Sequence, residues 1–430
     1  GKADPTLLET LGTEALLAIA KRGFKLLEKR GADEVLLRVY TPSYPVDGWE
    51  APFTVIEFCL GDRPFIVDSI KAELKRKNVE LLYLLHPILS AQRDGEGKFV
   101  AFSDEGQRES YELYFVEKQE DLKTLKTAVK DVLEDVVLST RDYHVMRDKA
   151  GDIAEYLQTL SERSDADGRS EEIREDATFM KWLQDDNYVF LGYREYDIFS
   201  KDDVPHLQVN VASGLGLLSK MNESAYQQSV PVSQIPEGLR ERVTGGRTLV
   251  VTKTNAESTV HRPARMDYIG IKKLDESWQV VGERRFVGLF TSKGLSTPVA
   301  DIPILRLKLR RVLELDKAVP GSHDYKQITA IFNSMPREEL FWRNPEELHD
   351  DIRTIINLEQ EQGVRLTVRS DPLGRGLAAM VIMPRERFNA EVRRDIQEFL
   401  SEQLDATHVD YQLAMGEDEA QLRFHFFFTT

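Results

Sequence analysis

Residues 54–74 constrain this chain more than any other stretch. Thr54-Val55-Ile56-Glu57-Phe58-Cys59 is β-branched, aromatic and apolar, the make-up of a buried strand. Gly61-Asp62-Arg63-Pro64 breaks the run, with Pro64 where the first helical turn tolerates a missing N–H. Ile66, Ile70 and Leu74 then recur on one helical face across residues 65–77. A strand that turns through a tight loop into an amphipathic helix needs a sheet with helices packed on it.

The elements around it extend this unit. Residues 79–91 read as one long apolar strand, Arg93-Asp94-Gly95-Glu96-Gly97 as a turn, 99–102 as a weak strand and 110–116 as a further strand. Leu122, Leu125, Val129, Val132 and Leu133 mark a second helix over 121–133. The order β-α-β-β-α predicts an antiparallel sheet covered by helices on one face. Before it, residues 6–30 are helical, Gly31 is a stop and 35–40 form a strand.

Downstream, residues 161–170 are polar and small and read as a linker, followed by a helix through Phe179, Met180, Trp182 and Leu183. Residues 186–292 are strand-dominated, with strands at 188–199 and 248–253. The segments 267–274 and 285–291 read as antiparallel neighbours joined by a turn at Asp275-Glu276-Ser277. Residues 301–361 are helical, with Asn344-Pro345-Glu346-Glu347 as one helix start. After Gly363 the order is β-β-α-β-β, with a helix over 384–404. The fold class is multi-domain α+β: ferredoxin-like antiparallel sandwiches on either side of a strand-rich middle, with helical connectors.

Composition excludes several functions. The 430 residues carry 57 Lys+Arg against 73 Asp+Glu, a formal net charge of −16. Such a chain repels phosphate backbones and anionic lipid, so neither nucleic acid nor membrane is an expected partner. Its single cysteine, Cys59, makes no internal disulfide or thiolate zinc site and fits a reducing cytoplasm. The histidines are dispersed without metal-ligand spacing, so no metal is expected. Gly374-Arg375-Gly376-Leu377-Ala378-Ala379 has the spacing of a dinucleotide motif but leads into a strand, where that chemistry needs a helix. Asp371-Pro372-Leu373-Gly374 reads instead as a hairpin turn. The terminal Phe424-His425-Phe426-Phe427-Phe428-Thr429-Thr430 finishes on a strand, which suggests a piece of a longer chain.

The phrase Gly61-Asp62-Arg63-Pro64-Phe65-Ile66-Val67-Asp68-Ser69-Ile70, between strand and helix, resembles the opening of an ACT domain. Further phrases follow in order: Leu85-His86-Pro87-Ile88-Leu89, Asn187-Tyr188-Val189-Phe190-Leu191-Gly192-Tyr193, Ser258-Thr259-Val260-His261-Arg262-Pro263, Val281-Gly282-Glu283-Arg284-Arg285-Phe286 and Met383-Pro384-Arg385-Glu386-Arg387-Phe388-Asn389. Together they resemble the N-terminal regulatory region of the large NAD-specific glutamate dehydrogenases of bacteria. That resemblance implies a helical segment at 1–33, an ACT-like domain at 34–140 and a linker at 141–170. It further implies a PAS-like domain at 171–297, a helical connector at 298–362 and a second ACT-like domain at 363–430. A third ACT-like unit is the alternative for the middle. The parent enzyme would convert glutamate to 2-oxoglutarate with NAD. NAD would belong to a catalytic domain not present here, so this region carries no cofactor. Its implied partners are that catalytic domain, further copies of the chain and an amino-acid effector.

Two places are candidate sites. Gly61, Asp62, Arg63, Pro64 and Phe65 precede a helix whose unpaired N–H groups attract a carboxylate; Asp62 would take an ammonium and Arg63 a carboxylate. The alternative is a tight turn that caps the helix. His261 and Arg262, with Arg265 close in sequence, form a candidate anion site, or else an exposed strand connection. Tyr111, Tyr114 and Phe115 sit on a strand expected at an edge, where chains self-associate. A region without a ligand would act as an oligomerisation scaffold.

Overall fold

The apolar alternation of the first 140 residues closes into one antiparallel sheet. The computed structural model describes residues 5–163, 168–220, 228–235, 240, 244–361, 363–371, 376–415 and 421–430. The chain forms two units, one running to Tyr143 and including residues 215–217 and 257–264, the other holding the remainder.

The first unit contains α1 (Pro5–Leu27), β1 (Leu36–Tyr40), α2 (Tyr44–Asp47), β2 (Phe53–Gly61), α3 (Ile66–Arg76), β3 (Leu81–Leu85), β4 (Ile88–Arg93), β5 (Phe99–Phe102), β6 (Gln107–Glu117) and α4 (Leu122–Arg141). Its sheet order is β1-β2-β6-β4-β5, with β3 also on β6. The stretch 79–91 is two strands rather than the expected one. Pro87 has no N–H to give the ladder, and its carbonyl accepts from the Tyr111 N–H at 3.1 Å as the chain bends. β6 is therefore central, with β2 on one side and β3 and β4 on the other. Tyr114 and Phe115 are wholly buried, so the edge expected for this strand is absent.

β2 is buried on both pleats. Phe53 and Val55 pack with Leu7, Ala15 and Ile19 of α1 and with Leu113 and Phe115 of β6. Ile56, Phe58 and Leu60 point the other way and are equally buried, which leaves that face to α3 and α4. The sheet is thus covered on both faces, where helices on one face were expected. Each buried aliphatic or aromatic side chain contributes roughly 1.5–3 kcal/mol. α1 breaks at Gly12, whose φ of 68° and ψ of 169° are not helical. Gly97 ends the predicted turn at φ 80°, and a Cβ there would lie 2.4 Å from the Arg30 carbonyl.

The second unit begins at His144, one residue into α5 (Tyr143–Ser161), and continues with α6 (Ser170–Trp182). Its first sheet comprises β7 (Tyr188–Lys201), β8 (Val204–Gly216), β9 (Val230–Pro231), β10 (Leu249–Glu257), β11 (Arg265–Leu274) and β12 (Val280–Phe290), in the order β10-β11-β12-β7-β8-β9. Helices α7 (Ser292–Ser296), α8 (Leu305–Leu315), α9 (His323–Ser334), α10 (Arg337–Trp342) and α11 (Pro345–Glu361) follow. The last block is β13 (Arg365–Ser370), β14 (Gly376–Pro384), α12 (Ala390–Gln403), β15 (His408–Met415) and β16 (Gln421–Thr429), in sheet order β13-β14-β16-β15. Its core joins Ala379, Val381, Phe424, Phe426 and Phe428 to Leu400 of α12. The α+β class with antiparallel sheets agrees with the sequence. Residues 372–375, and with them most of the expected hairpin turn and the start of the dinucleotide-like motif, lie outside the described residues, as do 164–167 of the linker.

Candidate functional site

Loop 61–65 is built closed. Asp62 accepts from Arg108 Nε at 3.0 Å and from Ser110 Oγ at 2.9 Å, so its carboxylate is already paired. Arg63 donates from Nε to the Gly61 carbonyl at 3.1 Å, and from Nη1 to the Val137 carbonyl and Thr140 Oγ1, both at 3.3 Å. It also pairs with Asp33 at 3.6 Å. A cation on the last carbonyls of α4 opposes the negative end of that helix. Burial lowers the Arg63 pKa, with Asp33 opposing. Pro64 is exposed, and Phe65, at φ 74°, is the residue preceding α3.

The strap 257–264 lies over the same helix start. The His261 N–H donates to Ser69 Oγ at 2.9 Å, and its ring meets Phe65 at 4.7 Å between centroids. Thr259 Oγ1 donates to Asp135 Oδ2 of α4 at 2.6 Å, and Val260 is wholly buried. The structure therefore brings the two sequence candidates together at Phe65 and His261. Burial lowers the His261 pKa, helped by the adjacent Arg262 and opposed by Asp68. Arg265 belongs to the other unit, where its guanidinium reaches Thr429 Oγ1 at 2.7 Å and Asp410 at 3.4 Å.

Behind Asp62 runs a polar chain that sequence reasoning missed. Ser110 Oγ lies 3.5 Å from His86 Nε2, which is 3.2 Å from Glu112 Oε1; Tyr114 donates to Glu112 Oε2 at 2.6 Å. Burial pushes the Glu112 carboxyl up from 4.5 to about 7, with the Tyr114 hydroxyl and Lys71 opposing and Asp62 adding. The folded state then keeps a proton that the unfolded state has released. Between the unfolded value of 4.5 and about 7 the folded state binds more protons, so stability falls as pH rises through that window. Thermal melting of the first unit is expected to drop between pH 5 and pH 8, and Glu112→Gln is expected to flatten the drop. An unchanged slope in that variant rules Glu112 out as the cause.

The second unit holds the better ligand-sized cavity. About 340 Å3 opens between α6, α8 and the β10–β12 side of the sheet. Asp176 of α6 lines it with 8% of its surface exposed. Among the described residues, no hydrogen bond reaches its carboxylate. Burial pushes this group up to about 8, with Arg247 opposing, Glu172 and Glu175 adding, and Lys308 opposing. The neighbouring charges are mostly spent. Glu175 is held by Arg306 at 2.7 Å and Glu172 by Arg311. Lys308 gives its ammonium to the carbonyls of Leu340, Phe341 and Arg343. Arg169 lies over the Trp278 ring at 4.5 Å. A signal for Asp176 existed: it falls in the apolar stripe Ile173, Ala177, Met180 of α6, where a solvated carboxylate has no place.

The chain matches three family models in order: the ACT1 domain of glutamate dehydrogenase at 1–132, its helical motif 1 at 302–361 and its ACT2 domain at 365–430. This chain belongs to the large NAD-specific glutamate dehydrogenase family, within its N-terminal region. The NAD-specific glutamate dehydrogenase of Pseudomonas aeruginosa is 29% identical over 412 residues, covering 94% of this chain and 25% of that protein. The one from Halomonas elongata is 30% identical, covering 89% and 24%, and that from Mycobacterium tuberculosis 24% identical, covering 92% and 23%. The chain thus spans about a quarter of the length of these relatives. In family terms, loop 61–65 belongs to ACT1, and β13–β16 belong to ACT2. The sheet of β7–β12 lies in the stretch between the ACT1 and helical-motif matches. Among the described residues no helix is long and apolar enough to cross a membrane.

Proposed function

We propose that this chain is the non-catalytic regulatory and assembly region of a large NAD-dependent glutamate dehydrogenase. The observation that carries it is the ordered ACT1, helical-motif and ACT2 modules on a chain about a quarter as long as its relatives. The parent reaction takes glutamate and NAD to 2-oxoglutarate, ammonia and NADH in the cytoplasm. NAD is handled by a catalytic domain elsewhere in that protein, the first partner of this region. A small metabolite bound here biases the parent enzyme between conformations through its differential affinity for them. The middle domain is PAS-like: its last strand, β12, pairs with its first, β7, at the centre of the sheet, which supports that reading over a third ACT-like unit. The closed state of loop 61–65 favours a second role for ACT1, as a ligand-free scaffold that joins subunits.

The purified chain is expected to form no NADH from glutamate and NAD, and to self-associate in sedimentation. NADH formed by this chain alone ends the non-catalytic reading. A monomer at all concentrations ends the scaffold role.

A further inference from the structure

We infer that the cavity lined by Asp176 and Arg247 binds a free α-amino acid with an apolar side chain. The inference deepens the sensing role proposed above and rests on it only for its regulatory meaning. Asp176 comes from α6, lines the cavity and is 8% exposed, with no protein donor among the described residues. A buried carboxyl without a donor is costly, and a ligand ammonium supplies both charge and hydrogen bonds. A purely cationic ligand is disfavoured, because Arg169, Arg247, Lys272, Lys308 and Arg311 also line the space. A polyanion is disfavoured by Asp176, Glu172 and Glu175. A zwitterion satisfies both sets.

The lining charges differ in burial: Asp176 is buried, Arg247 half-buried and Arg169 exposed, as are Thr244, Gly245 and Gly246. A guanidinium on the half-buried loop can take a carboxylate in bidentate fashion. Leu249, Val251, Ile304 and Leu307 supply an apolar wall for the side chain. The volume of about 340 Å3 lies at the small end of ligand pockets, roughly 300–1,000 Å3. A second cavity, of about 280 Å3, is a weaker candidate because Lys253 is already paired with Asp267 at 2.8 Å and Glu338 at 3.4 Å.

The test is calorimetric titration of the 430-residue chain with leucine, isoleucine, valine, methionine and phenylalanine. Controls are 4-methylpentanoate, which lacks the ammonium, isoamylamine, which lacks the carboxylate, and citrate. At least one of the five is expected to bind, with both half-ligands weaker by about tenfold or more, the loss of one charged hydrogen-bonded contact. Asp176→Asn and Arg247→Gln are each expected to cost a similar factor; Arg247 lies on a half-buried loop, so its variant keeps the fold if Asp176→Asn does not. Binding by none of the five, equal binding of 4-methylpentanoate or citrate, or unimpaired binding by Arg247→Gln overturns the inference. If an amino acid binds here but leaves turnover of the full-length enzyme unchanged, the regulatory reading fails while the site stands. If turnover responds but survives Arg247→Gln, the site fails while the regulatory reading stands.

Discussion

Glu109→Gln is expected to destabilise the first unit by roughly 3–5 kcal/mol, the usual cost of removing one partner from a buried ion pair. Glu109 is fully buried between two guanidiniums, Arg30 at 2.9 Å and Arg93 at 2.6 Å, with 1% and 5% of those side chains exposed. Burial alone raises its pKa, but the hydrogen bonds from Arg93 and Arg30 outweigh this and hold it below the ordinary value. Cys59 Sγ also donates to it at 3.4 Å. Glutamine keeps the shape and one acceptor but leaves two buried cations without a counter-charge. Those cations also tie down the chain: Arg93 Nη1 donates to the Leu27 carbonyl at 3.0 Å and the Gly97 carbonyl at 2.9 Å, and Arg30 Nη1 to those of Gly31 and Ala32. The end of α1 and the turn at Gly97 are thus fixed to β4 and β6 by one carboxylate. Hydrogen exchange on β2 and β6 isolates this unit from the rest of the chain, which need not unfold as one body. A change below about 1 kcal/mol contradicts the triad as a stabilising link. In a double-mutant cycle, Arg93→Met is expected to offset part of the loss, because it removes one of the stranded charges.

What the sequence made legible follows from how each element declares itself. Apolar runs bounded by Gly and Pro gave β2, β6, β7, β12 and the β-β-α-β-β order of the last block, because strand identity is written in local composition. Pro87 could have been read as a break in the stretch 79–91, since it cannot donate to a ladder, but its apolar neighbours masked that. β8 was legible but passed over, since Leu207, Val209 and Val211 alternate with His206, Gln208 and Asn210 as in a half-buried strand, whereas α10 escaped because six residues make too short a period. The place of α1 on the second face of the sheet is a tertiary fact with no local signature beyond its apolar spacing.

The site was legible in part and for a physical reason. Residue types at 61–65 and 261–262 were chosen for their capacity to bind, and the fold does bring Phe65 and His261 together. What sequence cannot give is whether a polar group is already spent: the Asp62 carboxylate accepting from Arg108 and Ser110, the Arg63 guanidinium donating to the end of α4. Asp176 was passed over for the opposite reason. Beside Glu171, Glu172 and Glu175 it looks like one more solvated charge, and only its position on the apolar stripe of α6 marks it as buried. In this chain a charged residue at a core position of an amphipathic helix is a buried charge, and such positions show where a partner is needed.

Lys308 extends that argument and carries the second large effect. It stands in the stripe Leu305, Leu309, Val312 of α8, with 1% exposure. Its ammonium donates to the carbonyls of Leu340 at 2.6 Å, Phe341 at 2.5 Å and Arg343 at 2.6 Å. Leu340 and Phe341 are in the last turn of α10 and Arg343 directly follows it, at the negative pole of a short helix, so three donors meet three buried acceptors. Lys308→Met keeps the stem and removes the donors. Each stranded buried carbonyl costs about 1–3 kcal/mol, and with partial relaxation a total of roughly 4 kcal/mol is expected for the second unit. Phe341 sits on this helix and lines the same cavity as Asp176, so the variant is also expected to weaken any ligand there. Arginine is expected not to rescue, because a planar fork does not match three converging carbonyls. Denaturant unfolding followed by exchange on α8 and α10 measures the loss. A variant as stable as the parent, with α10 still protected, means that other contacts hold that helix end and that the buried ammonium is incidental to it.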